Sequence, residues 1–447
     1  MTVTNFLDTE LVNYASYSTL RAIASCIDGQ KNAARKVIYT VQNKVKNDIK
    51  VEILSGTVAV NSEYLHGPSN LNGVIVGLAQ NFAGTNNIPL LTREGIFGCR
   101  FEPNPSAARY IYTNKEAIFD KLFLAEDDNI LIEQYFEGVK IEPKFYVPTL
   151  PLLLINGSEG IATGFAQKIL PRNPKNIIKY LEQKLTDKTP DISLLKPWFS
   201  GFKGTVEATE NKNQYIISGV IEKISLTKLK ITEIPLQYSL SSYTEVLDEL
   251  EDKKIIRSYK DISQDDNFLF EIEMDSKIIK ESDNTKLLNL LKLTKTITEN
   301  FTCINELNRV EEYTSAEEII EHFLRVKFEF LNKRKEYLLM TMLEKLNIMK
   351  SKYIFLKAIL DEKLSINKKS KKDISQELEN INDIILVQGS YDYLINMPIH
   401  SLSQETFEKL IVDLKKLKAE YDEYRENTIT ELYTRDLTEI SKIITGA

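Results

Sequence analysis

The chain has 447 residues, of which 43% are hydrophobic and 27% charged, with a formal net charge of −7. That composition belongs to ordinary globular protein with material for two to four cores, and no run of about 18 apolar residues is present to cross a membrane. Three widely spaced cysteines, Cys26, Cys99 and Cys303, exclude a disulfide framework and fit a reducing cytoplasm. Neither they nor His66, His322 and His400 have the spacing of a zinc site. The opening "MTVTNFLDTELVNY" lacks the basic region and apolar run of a secretory signal.

Residues 1 to 148 alternate helical runs with loops rich in Gly, Pro and Asn, such as "HGPSN", "FAGTNNIP" and "FEPNPS". Between Lys31 and Lys50 lie six cations and one anion, either a solvated face or a surface for phosphate. At 106–116, "SAARYIYTNKE", Arg109 stands against Tyr110, and Tyr112 follows. Two readings fit: strand tyrosines with a solvated arginine, or a phenol made nucleophilic by its neighbour. From 149 to 310 the chain opens with "PLLLINGSEGIATGF", carrying Ile161 among small residues, and continues into strand-like "GTVEA", "QYIISGVI" and "KLKITEI".

No glycine or proline occurs between Pro235 and Gly389. Ser315 and Glu318 form a capping box, and Leu324, Phe328, Leu331, Leu338, Met342, Leu346 and Met349 recur at helical spacing, predicting one helix of roughly 45 residues. Phe407, Leu410, Leu414, Leu417, Tyr421 and Tyr424 form a heptad seam on a single return helix. The expectation is an antiparallel coiled coil, 311–364 and 403–447, with a compact tip at 365–402.

Eight motifs occur in order: "DGQKNAARKVIY", "LHGPSNLNGVIVGLAQNF", "GIFGCR", "SAARYIYT", "LLLINGSEGIATGF", "PWFSGFKG", "ITEIP" and "YDYLINMPIHSL". Together they resemble the breakage-reunion part of type IIA DNA topoisomerases, most of all the branch in which that part is a separate polypeptide, as in the T-even bacteriophages. The resemblance implies an α+β, multidomain fold: a winged-helix (helix-turn-helix) domain over 1–148, an α/β tower over 149–310, then the long coiled coil with a small helical dimer gate at its tip.

It also implies a chemistry. A phenol, with an ordinary pKa of about 10, is a poor nucleophile until its anion is stabilised. An adjacent guanidinium stabilises that anion and forks onto phosphate oxygens. Tyr110 would attack the scissile phosphodiester, with Arg109 beside it, and Tyr112 would be a packing residue. His66, in "YLHG", would lie near the same phosphate, although Leu65 and Pro68 stand where relatives carry a second histidine and an acid. Lys31, Arg35 and Lys36 would bind phosphates, Arg100 and Gln80 would line the DNA surface, and Ile161 would wedge between base pairs, with Gly160 and Gly164 letting the backbone approach the duplex.

No P-loop and no acidic metal cluster is legible in the sequence. The resemblance therefore assigns ATP and Mg2+ to a partner subunit, with double-stranded DNA as substrate, a homodimer joined through the tip, a heterotetramer with the ATPase subunit, and a location in the cytoplasm, that of the host if the chain is phage-encoded. Two other readings compete: a supercoiling subunit of the gyrase type, and a DNA-bridging coiled-coil protein without catalysis.

Overall fold

The structure is a computed structural model that describes residues 2–186, 188–366, 369–398 and 404–446. It divides into two compact units. One comprises the residues up to Lys327 together with those from Thr434 on; the other runs from Phe328 to Tyr433.

In the first unit, the helices Asn32–Lys44, Val51–Asn61 and Pro68–Ala79 pack on one another. Each turns a helical stripe inward: Val37, Ile38 and Val41 from the first, Leu54 and Val58 from the second, Leu71, Ile75 and Val76 from the third. Pro68 opens the third helix, where its missing N–H costs nothing. A two-residue strand, Ile49–Lys50, pairs antiparallel with Tyr112–Thr113 and forms a small wing beside these helices. Ahead of them, residues 3 to 22 form a helical run with a π-turn at Leu7–Leu11, buried only near its end at Thr19.

Beyond residue 200 the same unit holds a four-stranded and a three-stranded antiparallel sheet, and the hairpin of Phe301–Ile304 with Val310–Tyr313. The strands Ser258–Asp261, Phe270–Glu273, Lys228–Glu233 and Val220–Lys223 lie side by side in that order. Their alternation turns Leu229, Ile231, Phe270 and Ile272 inward against Tyr243, Leu247 and Leu250 of the helix Leu240–Asp252. The three-stranded sheet runs Thr294–Thr298, Gln214–Ser218, Thr205–Ala208. The stretch "QYIISGVI" thus serves two sheets and breaks at Gly219, where a β-carbon would collide with the Glu233 carbonyl oxygen.

The long helix is Ala316–Leu360, 45 residues. Its cap differs from the expected box by one residue. Ser315 Oγ accepts from the Glu318 N–H at 3.3 Å, but the Glu318 carboxylate reaches back to the N–H and hydroxyl of Thr314, both at 2.6 Å. In the second unit this helix is met antiparallel by the return chain: the rings of Tyr353 and Phe407 stack at 5.2 Å, and Lys335 Nζ donates to the carbonyls of Arg425 and Asn427. The seam residues Phe407, Leu410, Leu414, Leu417, Tyr421 and Tyr424 are all half-buried, as are Thr406, Ile411 and Asp422 beside them.

The return chain is two helices, Gln404–Glu426 and Ile429–Gly446, where the heptad seam predicts one. Thr428 caps the second: its hydroxyl accepts from the Glu431 N–H at 3.2 Å, and Glu431 accepts from the Thr428 N–H at 2.7 Å. The tip has its own core, in which Phe355, Leu364, Ile374, Leu378, Tyr391 and Leu394 are buried. The last residues of the "YDYLINMPIHSL" motif, including His400, lie outside the described residues.

Candidate functional site

The Arg109–Tyr110 pair sits on a corner fixed from both sides. The first backbone N–H groups of a helix have no partner within it. Here those of Val51 and Glu52 donate to the carbonyls of Ile111 and Ala108, at 3.1 and 3.3 Å. One residue on, Tyr112 exchanges both backbone hydrogen bonds with Glu94, at 2.9 and 3.0 Å. Between these anchors the chain turns, with the Tyr110 N–H donating to Ala107 at 2.9 Å, and the Tyr110 side chain is left 66% exposed. The Arg109 guanidinium lies 5.0 Å from its ring centroid, and Arg109 makes no ion pair among the described residues. Tyr112 is half-buried, with Lys50 Nζ 5.8 Å from its ring.

A cleft of about 850 Å³ opens among the N-terminal helices and is lined by Tyr17, Arg21, Lys31, Lys36, Tyr64 and His66 with their neighbours. Neither Arg109 nor Tyr110 lines it. His66 Nε2 is 2.5 Å from the Tyr17 hydroxyl, and Tyr64 meets the imidazole edge-on at 5.3 Å. Lys31 Nζ donates to the Glu159 carbonyl at 2.6 Å; burial pulls its ammonium below the ordinary lysine value, with the Glu159 carboxylate acting in the opposite sense.

Arg21 is a cleft residue that the sequence motifs do not pick out. It lines the cleft, lies 5.4 Å from the Tyr17 ring centroid, and has no ion pair among the described residues. It is the only cation in the first 30 residues, which is the signal that could have singled it out.

Three of the expected DNA contacts are spent on the protein itself. Arg35 is 7% exposed. Its guanidinium bonds both Asp28 carboxylate oxygens, at 2.8 and 3.2 Å, and also the Gln30 carbonyl and Asn32. It therefore clamps the "DGQ" turn and presents no charge to a phosphate. Arg100 is equally buried and donates to the carbonyls of Ile234 and Tyr238, at 3.1 and 2.9 Å, with Glu233 at 3.7 Å. It ties its loop to the larger sheet. The Gln80 amide nitrogen donates to the Phe97 and Pro103 carbonyls, at 2.8 and 3.2 Å. Lys36 reaches the cleft, but its ammonium is held by Glu142 at 2.9 Å and by the Ser62 carbonyl at 2.5 Å.

Ile161 ends the strand Ser158–Ile161, paired with Ala166–Ile169 in register Ile161↔Ala166, and is 81% exposed. Its hairpin is rigidly seated. Gln167 accepts from the Ala24 N–H at 3.0 Å and donates to the Thr302 carbonyl at 2.8 Å, both buried. The Lys168 and Asn300 backbones bond each other at 3.0 and 2.8 Å. Gly160 faces inward: a β-carbon there would collide with the Ala22 carbonyl oxygen, so this glycine admits the protein's own backbone and leaves no close approach for a duplex. Gly164 has φ +87° with open space around it, as the hairpin turn requires. Among the described residues no group of three or more His, Cys, Asp and Glu side chains is placed to hold a metal ion, and no helix is long and apolar enough to cross a membrane.

Comparison with known proteins adds to this geometry. The family model for the A subunit of DNA gyrase/topoisomerase IV matches residues 21–440. Over 99% of its length the chain is 34% identical to the mitochondrial DNA topoisomerase 2 of Dictyostelium discoideum, of which it covers 35%. It is 33% identical over 98% of its length to DNA topoisomerase 2 of Plasmodium falciparum, covering 34% of that protein. The crystal structure of the Plasmodium falciparum topoisomerase II DNA-binding, cleavage and re-ligation domain superposes with a TM-score of 0.89 at 32% identity, covering 99% of this chain and 65% of that one. The chain thus spans about a third of the length of these curated relatives.

Proposed function

This chain belongs to the family of the DNA gyrase/topoisomerase IV A subunit, and from that premise we propose that it is the DNA-cleaving and religating part of a type IIA topoisomerase. The observation that carries the reading is the exposed Tyr110 phenol on a doubly anchored corner, with the Arg109 guanidinium, which has no ion pair among the described residues, over its ring. Tyr110 Oη gives its proton to water as it attacks a DNA phosphorus in line, the P–O3′ bond breaks, and the 3′ oxygen takes up a proton from water and leaves as a hydroxyl. The 5′ phosphate stays on the tyrosine. Arg109 neutralises charge on the phosphate oxygens as it builds. Because the phosphotyrosyl ester keeps the energy of the broken link, attack by the 3′ hydroxyl reseals the strand without ATP. Two copies related by a two-fold axis cut opposite strands with a stagger and let a second duplex through, which relaxes and decatenates DNA.

In this reading residues 1–148 are the winged-helix cleavage domain, 149–310 the tower, 311–364 and 403–447 the coiled-coil arms, and 365–402 the dimerising tip. The described residues do not fit a magnesium site. We assign Mg2+ and ATP to a separate ATPase and metal-binding subunit in a heterotetramer working in the cytoplasm. The purified chain should then dimerise and bind DNA, yet neither hydrolyse ATP nor leave DNA covalently attached after denaturation. Adding the partner subunit should restore both. ATP turnover by the chain alone would refute the assignment.

Ile161 fits a wedge on two counts, its exposure and the rigid hairpin that presents it. Wedging between base pairs costs a few kcal/mol of unstacking, offset by the contacts that a bend allows. Ile161→Ala should leave the thermal midpoint and the salt dependence of binding unchanged, since it removes neither buried surface nor charge. Bending, read by energy transfer between dyes at the duplex ends, should drop, and cleavage with it. Normal bending by the variant would return Ile161 to an ordinary surface residue.

A further inference from the structure

His66 enters the cleft with one ring nitrogen already taken. The Tyr17 hydroxyl, 49 residues earlier in the chain, stands 2.5 Å from Nε2. The two rings are 6.1 Å apart, and Tyr64 holds the imidazole from another side, itself bonded by the Asn70 amide. Residues next to His66 offer it no polar side chain: Leu65 is 75% exposed, and Gly67 and Pro68 follow. Tyr17 is therefore the polar partner that the local sequence lacks.

A neutral imidazole has one donor and one acceptor nitrogen, and the partner of one nitrogen decides the state of the other. The phenol is a stronger acid than an imidazole N–H, and a bare imidazole nitrogen a stronger base than a phenol oxygen, so the contact favours Tyr17 Oη–H as donor to Nε2. With Tyr17 Oη–H donating to Nε2, the ring hydrogen must sit on Nδ1.

We propose that Tyr17 is a positioning residue that fixes His66 as the Nδ1–H tautomer, so that His66 meets DNA as a hydrogen-bond donor to a phosphate oxygen. This rests on the reading of the cleft as part of the DNA-cleaving site. It has a mechanistic consequence: with Nε2 engaged by Tyr17, His66 stabilises charge on phosphate and does not take the Tyr110 proton. Arg21, on the same helix as Tyr17 and lying over its ring, adds a second donor to the same wall of the cleft.

The test is spectroscopic. The full chain, labelled with 15N-histidine, is studied by long-range proton–nitrogen correlation at neutral pH, and the His66 signals are identified by their loss in His66→Gln. The wild type should show an unprotonated Nε2 and a protonated Nδ1. Tyr17→Phe keeps the ring beneath Arg21 and removes only the hydroxyl; its His66 should move toward the Nε2–H form. An unchanged Nδ1–H pattern in the variant overturns the proposal, as does an Nε2–H pattern in the wild type. With the partner subunit present, Tyr17→Phe should also slow covalent attachment of DNA about tenfold at nearly unchanged DNA affinity. The two readings fail separately: the tautomer is measured without DNA, so a nucleophile other than Tyr110 would leave that result standing, and a wrong tautomer would leave cleavage by Tyr110 standing.

Discussion

Tyr110→Phe is expected to abolish covalent attachment of DNA and strand passage, by roughly 10⁴-fold or more, while DNA affinity stays nearly constant. The substitution removes one oxygen. The ring stays under Arg109, the corner is held by backbone bonds that phenylalanine keeps, and the side chain is exposed, so no buried group loses a partner. Tyr112→Phe should be nearly silent, because Tyr112 is held by its backbone pairing to Glu94 and Lys50. Both are read by trapping DNA on protein with detergent in the presence of the partner subunit. Trapped DNA on the Tyr110→Phe chain would mean that another residue is the nucleophile.

Arg35→Ala should act on the fold and spare the charge count at the DNA surface. Asp28 is fully buried and accepts from Arg35 and from the backbone N–H groups of Gln30 and Tyr146, at 2.9 and 3.0 Å. Truncating Arg35 leaves that carboxylate unpaired inside the protein, which typically costs about 3–5 kcal/mol. The first urea transition should shift accordingly. Arg35→Lys should recover part of the loss, since the charge returns without the planar fork. Where the variant remains folded, the slope of DNA affinity against salt should match the wild type. A slope lower by about one unit with normal stability would restore Arg35 to the phosphate contacts.

The two effects show where sequence reasoning succeeds. The 45-residue helix is legible because nothing interrupts its period, and the strands because turn residues bracket them. The role of a cation is not legible, because an arginine looks the same whether it faces phosphate or a carboxylate. Arg100 finds Glu233 and Lys36 finds Glu142 more than a hundred residues away. Arg35 is different, since Asp28 lies only seven residues before it, in the turn that leads into its helix, and marks it as a structural cation. The break in the return chain is legible too, in Thr428-x-x-Glu431, just beyond Tyr424, the last residue of the heptad seam. No local signal joins Tyr17 to His66; only the fold does.

The division of the chain into its two units bears on the order of assembly. The first unit is interrupted at Lys327 and resumes at Thr434, and its final helix buries Leu437 and Ile440. On a ribosome these residues emerge after the whole second unit has been made, so the first unit is begun first and completed last. Until then its core lacks two fully buried side chains. The second unit can shorten that wait. Its terminal rings, Phe328 and Tyr433, touch at 5.9 Å, so folding it brings the severed ends of the first unit together. Closing a flexible loop of that length would otherwise cost about 4 kcal/mol in chain entropy. The second unit is thus a built-in folding clamp for the first.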